Sequence, residues 1–150
     1  MTKGASMRTG IACSAALLVC GLAVGCSGGD APDAKLTVKM SEWLFEPSAT
    51  SIKSGNVKFT VNNVGGAEHE LVIVKGSDPK ALATKTNGSV DEEQIVEALK
   101  VGEVEEVAAR TTKSGTLAVE PGTYVLMCNL VDANGVSHFA KGMVATLTVK

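Results

Sequence analysis

The sequence predicts an all-β domain, a Greek-key β-sandwich. Short segments with alternating apolar and polar residues are separated by Gly, Pro and Asn, and no internal repeat is present. The chain has 150 residues, 45% of them hydrophobic, which suffices for one domain with a real core. Helical spacing of apolar residues occurs near residues 90–100, where a short helix is expected.

The first 25 residues have the pattern of a secretory signal. Lys3 and Arg8 precede an uncharged stretch that is too short to span a bilayer as a stable helix. The sequence Leu22-Ala-Val-Gly-Cys26 resembles a bacterial lipobox, whose cysteine becomes the lipidated first residue of the mature protein. The alternative is an uncleaved signal anchor.

These features predict three regions along the chain. Residues 1–25 form a lipoprotein signal peptide, residues 26–34 a flexible tether containing Gly and Asp, and residues 35–150 the folded domain. The protein is therefore expected at the cell membrane, facing the extracytoplasmic side and held there only through the lipid on Cys26.

The charge of the mature chain restricts its partners. Removal of residues 1–25 takes away two basic residues and leaves 12 basic residues against 16 acidic ones. A net charge near −4 does not favour nucleic acid or an anionic membrane surface as a partner. We expect a monomer.

The cysteine count points to a metal. Cys13 and Cys20 leave with the signal peptide, and Cys26 becomes a thioether, so Cys128 is the only thiol left in an exported protein. It cannot form an intramolecular disulfide, and an unpaired thiol outside the cytoplasm requires a reason. Binding to a metal would protect the sulfur as a thiolate.

Alternation predicts the strands in order. The third predicted strand is apolar on both faces and should be central in its sheet. Tyr124 follows the turn 120–122, where Greek-key sandwiches have a tyrosine corner. The predicted strands are Leu36–Met40, Val57–Val61, Leu71–Val74, Thr116–Val119, Tyr124–Met127 and Ala145–Val149.

The segment from residue 76 to residue 112 has a different pattern. Ser89 and Glu92 have the spacing of a capping box, and apolar residues follow at helical spacing as far as Leu99. Between residues 91 and 106 lie seven acidic residues and one lysine. This region is either a docking surface for a basic partner or an ordinary solvated face.

Four residues have the chemistry of a metal site. Cys128, His138 and Met143 fall within sixteen residues, and His69 is the second histidine of the chain. Thiolate and imidazole suit copper and, to a lesser degree, zinc, whereas a thioether suits copper and adds little for zinc. Alternation places His69, Cys128 and Met143 on the core faces of their strands. His138 lies in a loop, so alternation does not predict the direction of its side chain.

These residues, with the segment from Phe59 to Val74, resemble the cupredoxin family of blue copper proteins, most closely its small bacterial plastocyanin and sulfocyanin-like members. The resemblance covers roughly residues 35–150. It implies one copper ion per domain, with His69, Cys128 and His138 as equatorial ligands and Met143 as the axial ligand. Most single-domain relatives have only a few residues between the cysteine and the following histidine, whereas nine intervene here.

The resemblance implies single-electron transfer between redox partner proteins, and the sequence contains no arrangement typical of an enzyme. Copper scavenging or delivery, with a copper donor or acceptor as partner, is the main alternative, because a long loop before His138 could reduce preorganisation. A metal-free adhesion module is a third hypothesis. The turn at Asp132-Ala-Asn134-Gly135 predicts that this loop folds back as a small hairpin or tight loop, with Asn-Gly suited to a two-residue turn; the alternative is a disordered excursion.

Trp43 and the residues up to Pro47 are expected to pack over the edge of the sandwich. From the sequence, Trp43 is either core filling or a residue beside the metal.

Overall fold

A four-stranded sheet and a five-stranded sheet face each other in the computed structural model, which describes residues 31–150. The orders are β2-β1-β4-β7 and β3-β9-β8-β5-β6, and the chain crosses between the sheets several times. The predicted Greek-key β-sandwich is confirmed. The strands are β1 (Ala34–Ser41), β2 (Leu44–Pro47), β3 (Ser51–Ile52), β4 (Gly55–Asn63), β5 (His69–Lys75), β6 (Lys100–Val107), β7 (Thr112–Val119), β8 (Gly122–Met127) and β9 (Val144–Val149).

The core lies between the two sheets and follows from the alternation. In β1, every second residue from Leu36 to Met40 is buried, and the residues between them are exposed. β4 runs parallel to β1 and repeats the pattern, so that Leu36 pairs with Phe59 and Val38 with Val61. Because successive side chains of a strand point to opposite faces, this register places all of these apolar side chains on the inner face.

The outer face of the five-stranded sheet is also covered. Val72, Val74 and Met127 form a second buried cluster with Val90, which belongs to the segment between β5 and β6. This cover explains why β5 is apolar on both faces. β5 lies between β8 and β6, so its predicted central position is confirmed.

The predicted helix near residues 90–100 takes a different form. The structure has two single-turn 3₁₀ helices, Glu92–Gln94 and Glu97–Leu99, in addition to a third at Pro79–Ala81. The capping box does not form, because the Ser89 hydroxyl donates to the side-chain oxygen of Asn87 (2.8 Å).

β6 follows directly and was not predicted as a strand. It is an edge strand rich in glutamate, and its pairing with β5 shifts register twice. Gly102 and Glu106 adopt positive φ angles of 144° and 50°, as expected at bulges. These interruptions remove the alternation by which a strand is recognised in a sequence.

The tyrosine corner is confirmed. The Tyr124 hydroxyl donates to the carbonyl of Glu120, four residues upstream, at 2.7 Å. β7 and β8 lie in different sheets, so the turn between them is a corner of the sandwich rather than a hairpin. The hydrogen bond therefore stabilises a crossing between the two sheets.

The signal peptide, Cys26 and most of the tether lie outside the described residues. At the start of the domain, Asp33 is already attached, since its backbone N–H donates to the carbonyl of Asn56 (2.8 Å) and its carboxylate accepts from the Asn56 N–H (2.7 Å). Within residues 31–150, no helix has the length and apolar character needed to cross a membrane.

Candidate metal centre

Three strand ends meet at one end of the sandwich and carry three of the four predicted site residues. His69 is the first residue of β5, Cys128 follows the last residue of β8, and Met143 precedes the first residue of β9. β8 is antiparallel to both β5 and β9, so these three ends are adjacent in space. His138 reaches the same place from the loop before β9.

The side chains of His69, Cys128 and His138 converge. The two Nδ1 atoms are 3.2 Å apart, and the Cys128 Sγ atom lies 3.3 Å from Nδ1 of His138 and 3.8 Å from Nδ1 of His69. All three residues are buried. A trigonal ion about 2.0 Å from nitrogen and about 2.3 Å from sulfur would separate its ligand atoms by roughly 3.5–3.8 Å. The three donor atoms therefore fit one metal ion.

Burial sets the protonation of these groups. It lowers the pKa of His138, and it lowers the pKa of His69 together with the nearby His138. Burial also raises the pKa of the Cys128 thiol to about 11, although the nearby backbone N–H groups of Glu70 and Leu130 act in the opposite direction. At neutral pH both imidazoles are in the metal-binding form, and metal binding releases the thiol proton.

The orientation of His69 also suits a metal. Nε2 of this ring is buried and has no hydrogen-bond partner among the described residues, whereas Nδ1 faces the other two donors. A ring with its proton on Nε2 leaves the lone pair of Nδ1 free for an ion.

Met143 is held by the backbone between two of these residues. Its N–H donates to the carbonyl of His138 (3.1 Å), and its carbonyl accepts from the N–H of Cys128 (3.0 Å). The side chain is fully buried and belongs to the same core cluster as Cys128. The predicted position of Met143 on the core face is thus confirmed.

The nine residues between Cys128 and His138 form a small hairpin, as one of the two hypotheses predicted. Val131 and Ser137 form an antiparallel bridge, and His138 N–H donates to the carbonyl of Leu130 at 2.9 Å. The turn has three residues rather than two. Asp132 forces this outcome, because its Oδ1 atom accepts from the N–H groups of Asn134 (2.8 Å) and Val136 (2.9 Å).

These contacts predict a preformed loop. In the copper-free protein, the amides of Val136 and His138 should exchange slowly, because both donate within the loop. Hydrogen exchange followed by NMR, before and after copper loading, measures this. Asp132→Ala is the matched variant and should accelerate exchange at Val136. Fast wild-type exchange that slows only on loading would mean that the metal, not the chain, orders the loop.

From the sequence, no role was assigned to Asn63, the last residue of β4. Its Nδ2 atom donates to the carbonyls of Ala67 (2.7 Å), Val107 (2.9 Å) and Ala108 (3.2 Å), and its Oδ1 atom accepts from Gly65 N–H (2.9 Å). Asn63 therefore ties the loop before His69 to the end of β6. An asparagine directly before a Gly-rich loop is the one signal that could have identified it.

Glu42, in the turn between β1 and β2, fixes the same loop. Its Oε1 atom accepts from the backbone N–H groups of Gly66 (2.7 Å) and Ala67 (2.5 Å). The contact of the carboxylate with its own backbone N–H, followed by these two hydrogen bonds, lowers the pKa of Glu42. The loop that leads into His69 is thus held by two side chains.

Trp43 lies beside the metal centre and is not core filling. Its ring meets the His138 ring edge to face, with centroids 5.4 Å apart and an interplanar angle of 78°. The Nζ atom of Lys141 lies 5.7 Å from the centroid of Trp43. Trp43 is 40% exposed whereas His138 is 3% exposed, so the indole lies between the imidazole and solvent.

Removal of this ring should open the metal centre. We expect Trp43→Ala to accelerate copper removal by an excess of a small chelator several-fold, because the edge of His138 becomes accessible. Stopped-flow absorption measures the rate. Val64→Ala is the control, since Val64 is an exposed apolar residue (47%) in the loop after β4. Equal rates for Trp43→Ala and the wild type would contradict a shielding role.

Glu70 gives the domain a defined pH dependence. Burial, followed by the neighbouring carboxylates of Glu92, Glu103 and Glu105, raises its pKa from 4.5 to about 7. The folded state therefore holds a proton that the unfolded state releases between pH 4.5 and 7, and stability falls as pH rises through this window.

In the copper-free protein, Glu70→Gln should remove this decrease of stability with rising pH. Relative to the variant, the wild type should lose on the order of 2 kcal/mol of unfolding free energy between pH 4.5 and 7.5. Urea denaturation at both values measures it. If the unfolding free energy changes with pH in the same way in both proteins, Glu70 ionises normally.

Together, the β-sandwich and the buried His-Cys-His centre at one of its ends define a mononuclear copper-binding protein. The sequence model of the copper-binding proteins of the plastocyanin/azurin family matches residues 32–150. The chain belongs to this family, which confirms the cupredoxin resemblance. The expected cofactor, one copper ion, is confirmed by the family and by the convergence of His69, Cys128 and His138.

Solved structures with the same fold are distant in sequence. Auracyanin B is 23% identical with a TM-score of 0.57, over 81% of this chain and 91% of that one. The dithionite-reduced auracyanin of the photosynthetic bacterium Roseiflexus castenholzii is 20% identical with a TM-score of 0.56, over 81% and 99%. Reduced rusticyanin is 19% identical with a TM-score of 0.53, over 83% and 89%. At these identities the similarity shows the fold. No curated protein matches the sequence.

Proposed function

We propose that this protein is a type 1-like copper protein that carries single electrons. His69 Nδ1, His138 Nδ1 and Cys128 Sγ are the equatorial ligands, and the Met143 thioether is the weak axial ligand. The observation that carries the proposal is the buried convergence of two imidazole nitrogens and one sulfur within 3.2–3.8 Å. Bound copper supplies the one-electron chemistry, for which this ligand set is suited.

The chain contributes rigidity and a dry environment. Strand ends fix His69 and Cys128, and a hydrogen-bonded hairpin returns His138. Ligands that move little between the two oxidation states keep the reorganisation energy of electron transfer low. The nearby backbone N–H groups of Glu70 and Leu130 favour a negative charge on the Cys128 sulfur, which would tune the potential.

The visible and EPR spectra of the copper-loaded protein test the proposal. We expect an intense thiolate-to-copper band, reversible bleaching by one electron per copper, and one copper per chain. A protein that binds copper without such a band would exclude a blue site.

Copper scavenging or delivery is the second candidate function, and the nine-residue loop before His138 is the observation that favours it. The hairpin within this loop argues for a preorganised site and hence for electron transfer. Repeated reduction and oxidation with full retention of copper supports the carrier, whereas loss of copper on reduction supports delivery. Neither function involves catalytic turnover of a substrate.

We further propose that the mature protein is a monomer anchored by a lipid on Cys26 at the extracytoplasmic face of the cell membrane. The basic start, the apolar stretch and the lipobox-like sequence support this location. Expressed in a bacterial host, the protein should partition with membranes, and Cys26→Ser should be released or processed differently. Identical fractionation and migration of both forms would refute the anchor.

A basic redox protein is the partner that the surface favours. Glu93 and Glu97 on the 3₁₀ turns and Glu103 and Glu105 on β6 are exposed. Attraction between such a surface and a basic partner accelerates association and weakens with salt. A rate of electron exchange with a basic redox protein that does not depend on ionic strength would exclude this surface.

A further inference from the structure

The four proposed copper ligands are closed off from solvent. His69, Cys128 and Met143 are completely buried, and His138 is 3% exposed. A partner protein at the surface therefore cannot touch a ligand directly. An electron that enters or leaves the site has to pass at least one further residue.

Trp43 is the residue that spans this distance. Within residues 31–150, the rings that pack against His138 are those of His69 and Trp43. The indole meets the imidazole edge to face with centroids 5.4 Å apart, and Trp43 is 40% exposed. Nδ1 of His138 faces the Cys128 sulfur at 3.3 Å. Two rings in contact thus lead from the converging ligands to the surface.

The backbone of Trp43 has a conformation that bulky residues rarely adopt. Glu42 and Trp43 form the two-residue turn between β1 and β2, and Ser41 pairs with Leu44 across it. The φ angle of Trp43 is 63°, in the left-handed region where Gly, Asn and Asp are favoured. This conformation costs free energy, and such strain is found at functional sites. A glycine would form the turn without strain, so the turn itself does not explain the indole.

Contacts on two sides hold the indole in place. Nζ of Lys141 lies 5.7 Å from the ring centroid, where the ammonium group is attracted to the ring face. The preceding residue, Glu42, accepts hydrogen bonds from the N–H groups of Gly66 (2.7 Å) and Ala67 (2.5 Å) in the loop before His69. The ring is therefore fixed relative to both histidines.

We propose that Trp43 is the residue through which the copper site exchanges electrons, with the partner in contact with the exposed side of the indole. The electron passes across the His138 and Trp43 rings, so that the site is oxidised by one electron and the partner is reduced by one. Neither ring is itself oxidised, and no proton moves. This role rests on the proposed electron-transfer function and assigns the point of contact, which a cover that only shields the site would not require.

Electron self-exchange between reduced and oxidised copies of the protein tests this role. The reaction has no driving force, so its rate does not depend on the potential. Line broadening in NMR spectra of mixtures of the two forms measures that rate. Trp43→Gly should slow self-exchange several-fold with the visible band retained, because the second copy no longer meets a ring in contact with His138.

Three further variants complete the comparison. Trp43→Phe should restore most of the rate, since a phenyl ring can take the place of the indole. Trp43→Asn is a second variant without this ring system in case glycine loosens the turn, because asparagine also tolerates a positive φ angle. Val96→Ala is the control and should leave the rate unchanged, because Val96 is a 63% exposed apolar residue in the segment before β6.

Trp43 is the single tryptophan of the chain, so its fluorescence provides a copper-free test. In the copper-free protein, time-resolved anisotropy should show a ring that moves only with the domain. Glu42→Ala removes both hydrogen bonds to the loop before His69 and should add a fast component.

A freely rotating wild-type ring, or self-exchange in Trp43→Gly that is as fast as in the wild type or faster, would overturn the proposal and leave Trp43 as a cover alone. Absence of reversible one-electron reduction in the wild type would instead refute the proposed electron carrier, and the anisotropy would still decide whether the ring is fixed.

Discussion

Cys128→Ser is expected to abolish the intense visible absorption of the copper-loaded protein. The band arises from charge transfer between thiolate sulfur and copper, and Cys128 contributes the only sulfur among the three converging donors. A serine hydroxyl is a poor ligand for copper, so affinity should fall as well. Absorption spectra and copper content after desalting measure both effects.

Met143→Leu is the matched control for this experiment. It removes the thioether that is proposed as the axial ligand and preserves the apolar volume, so the domain should fold normally. Because the axial ligand of such sites is weak, the band should persist with a changed potential. An unchanged band in Cys128→Ser would show that the sulfur of Cys128 does not bind the metal.

Asn63→Ala should have the largest effect on stability outside the metal centre. The change removes a buried side chain. The N–H of Gly65 and the carbonyls of Ala67 and Val107 then lose their hydrogen-bond partner. At about 1–3 kcal/mol for each buried unsatisfied group, the unfolding free energy should fall by on the order of 3 kcal/mol. The corresponding drop in melting temperature is roughly 10 °C.

The loop before His69 should also loosen in this variant, since Asn63 and Glu42 hold it together. Copper uptake should therefore slow, measured as the rise of the visible band after mixing. Asn62→Ala is the control, because the Asn62 side chain makes one hydrogen bond within residues 31–150, an exposed contact with Thr112 (3.3 Å). A loss of stability in Asn62→Ala equal to that in Asn63→Ala would assign the effect to the strand rather than to the buried amide.

Several of the strands that the sequence predicts share one property. β1, β4 and β9 have one buried face, and this produces an alternation of period two. The same alternation indicated that His69, Cys128 and Met143 face the core. Local pattern was sufficient wherever a strand was regular and its inner face apolar.

The helix near residues 90–100 was predicted in the wrong form for a physical reason. Ile95, Val96 and Leu99 have helical spacing, but only Ile95 packs on the sheet, whereas Val96 and Leu99 are 63% and 38% exposed. Their helical spacing therefore does not correspond to one shared buried face. Propensity and spacing are weak signals when tertiary contacts decide the backbone.

The polar contacts around the metal centre were beyond sequence reasoning. Asn129 bonds to Val90, 39 residues away, and Asn63 bonds to Val107, 44 residues away. A hydrogen bond between residues that are far apart in the sequence produces no periodic pattern in either segment. Such residues become visible only when the fold has brought their partners together.

The direction of β1 determines how the domain would stand on a membrane. β1 begins at Ala34 and ends at the hairpin that carries Trp43, which contacts His138. Eight strand residues span about 25 Å, so the chain enters the domain at the pole opposite the copper. In the proposed lipoprotein, the eight residues from Cys26 to Asp33 are joined by seven steps and reach at most about 25 Å. The lipid would then hold the domain by its base and present the Trp43 end outward, toward partners that approach from the aqueous side.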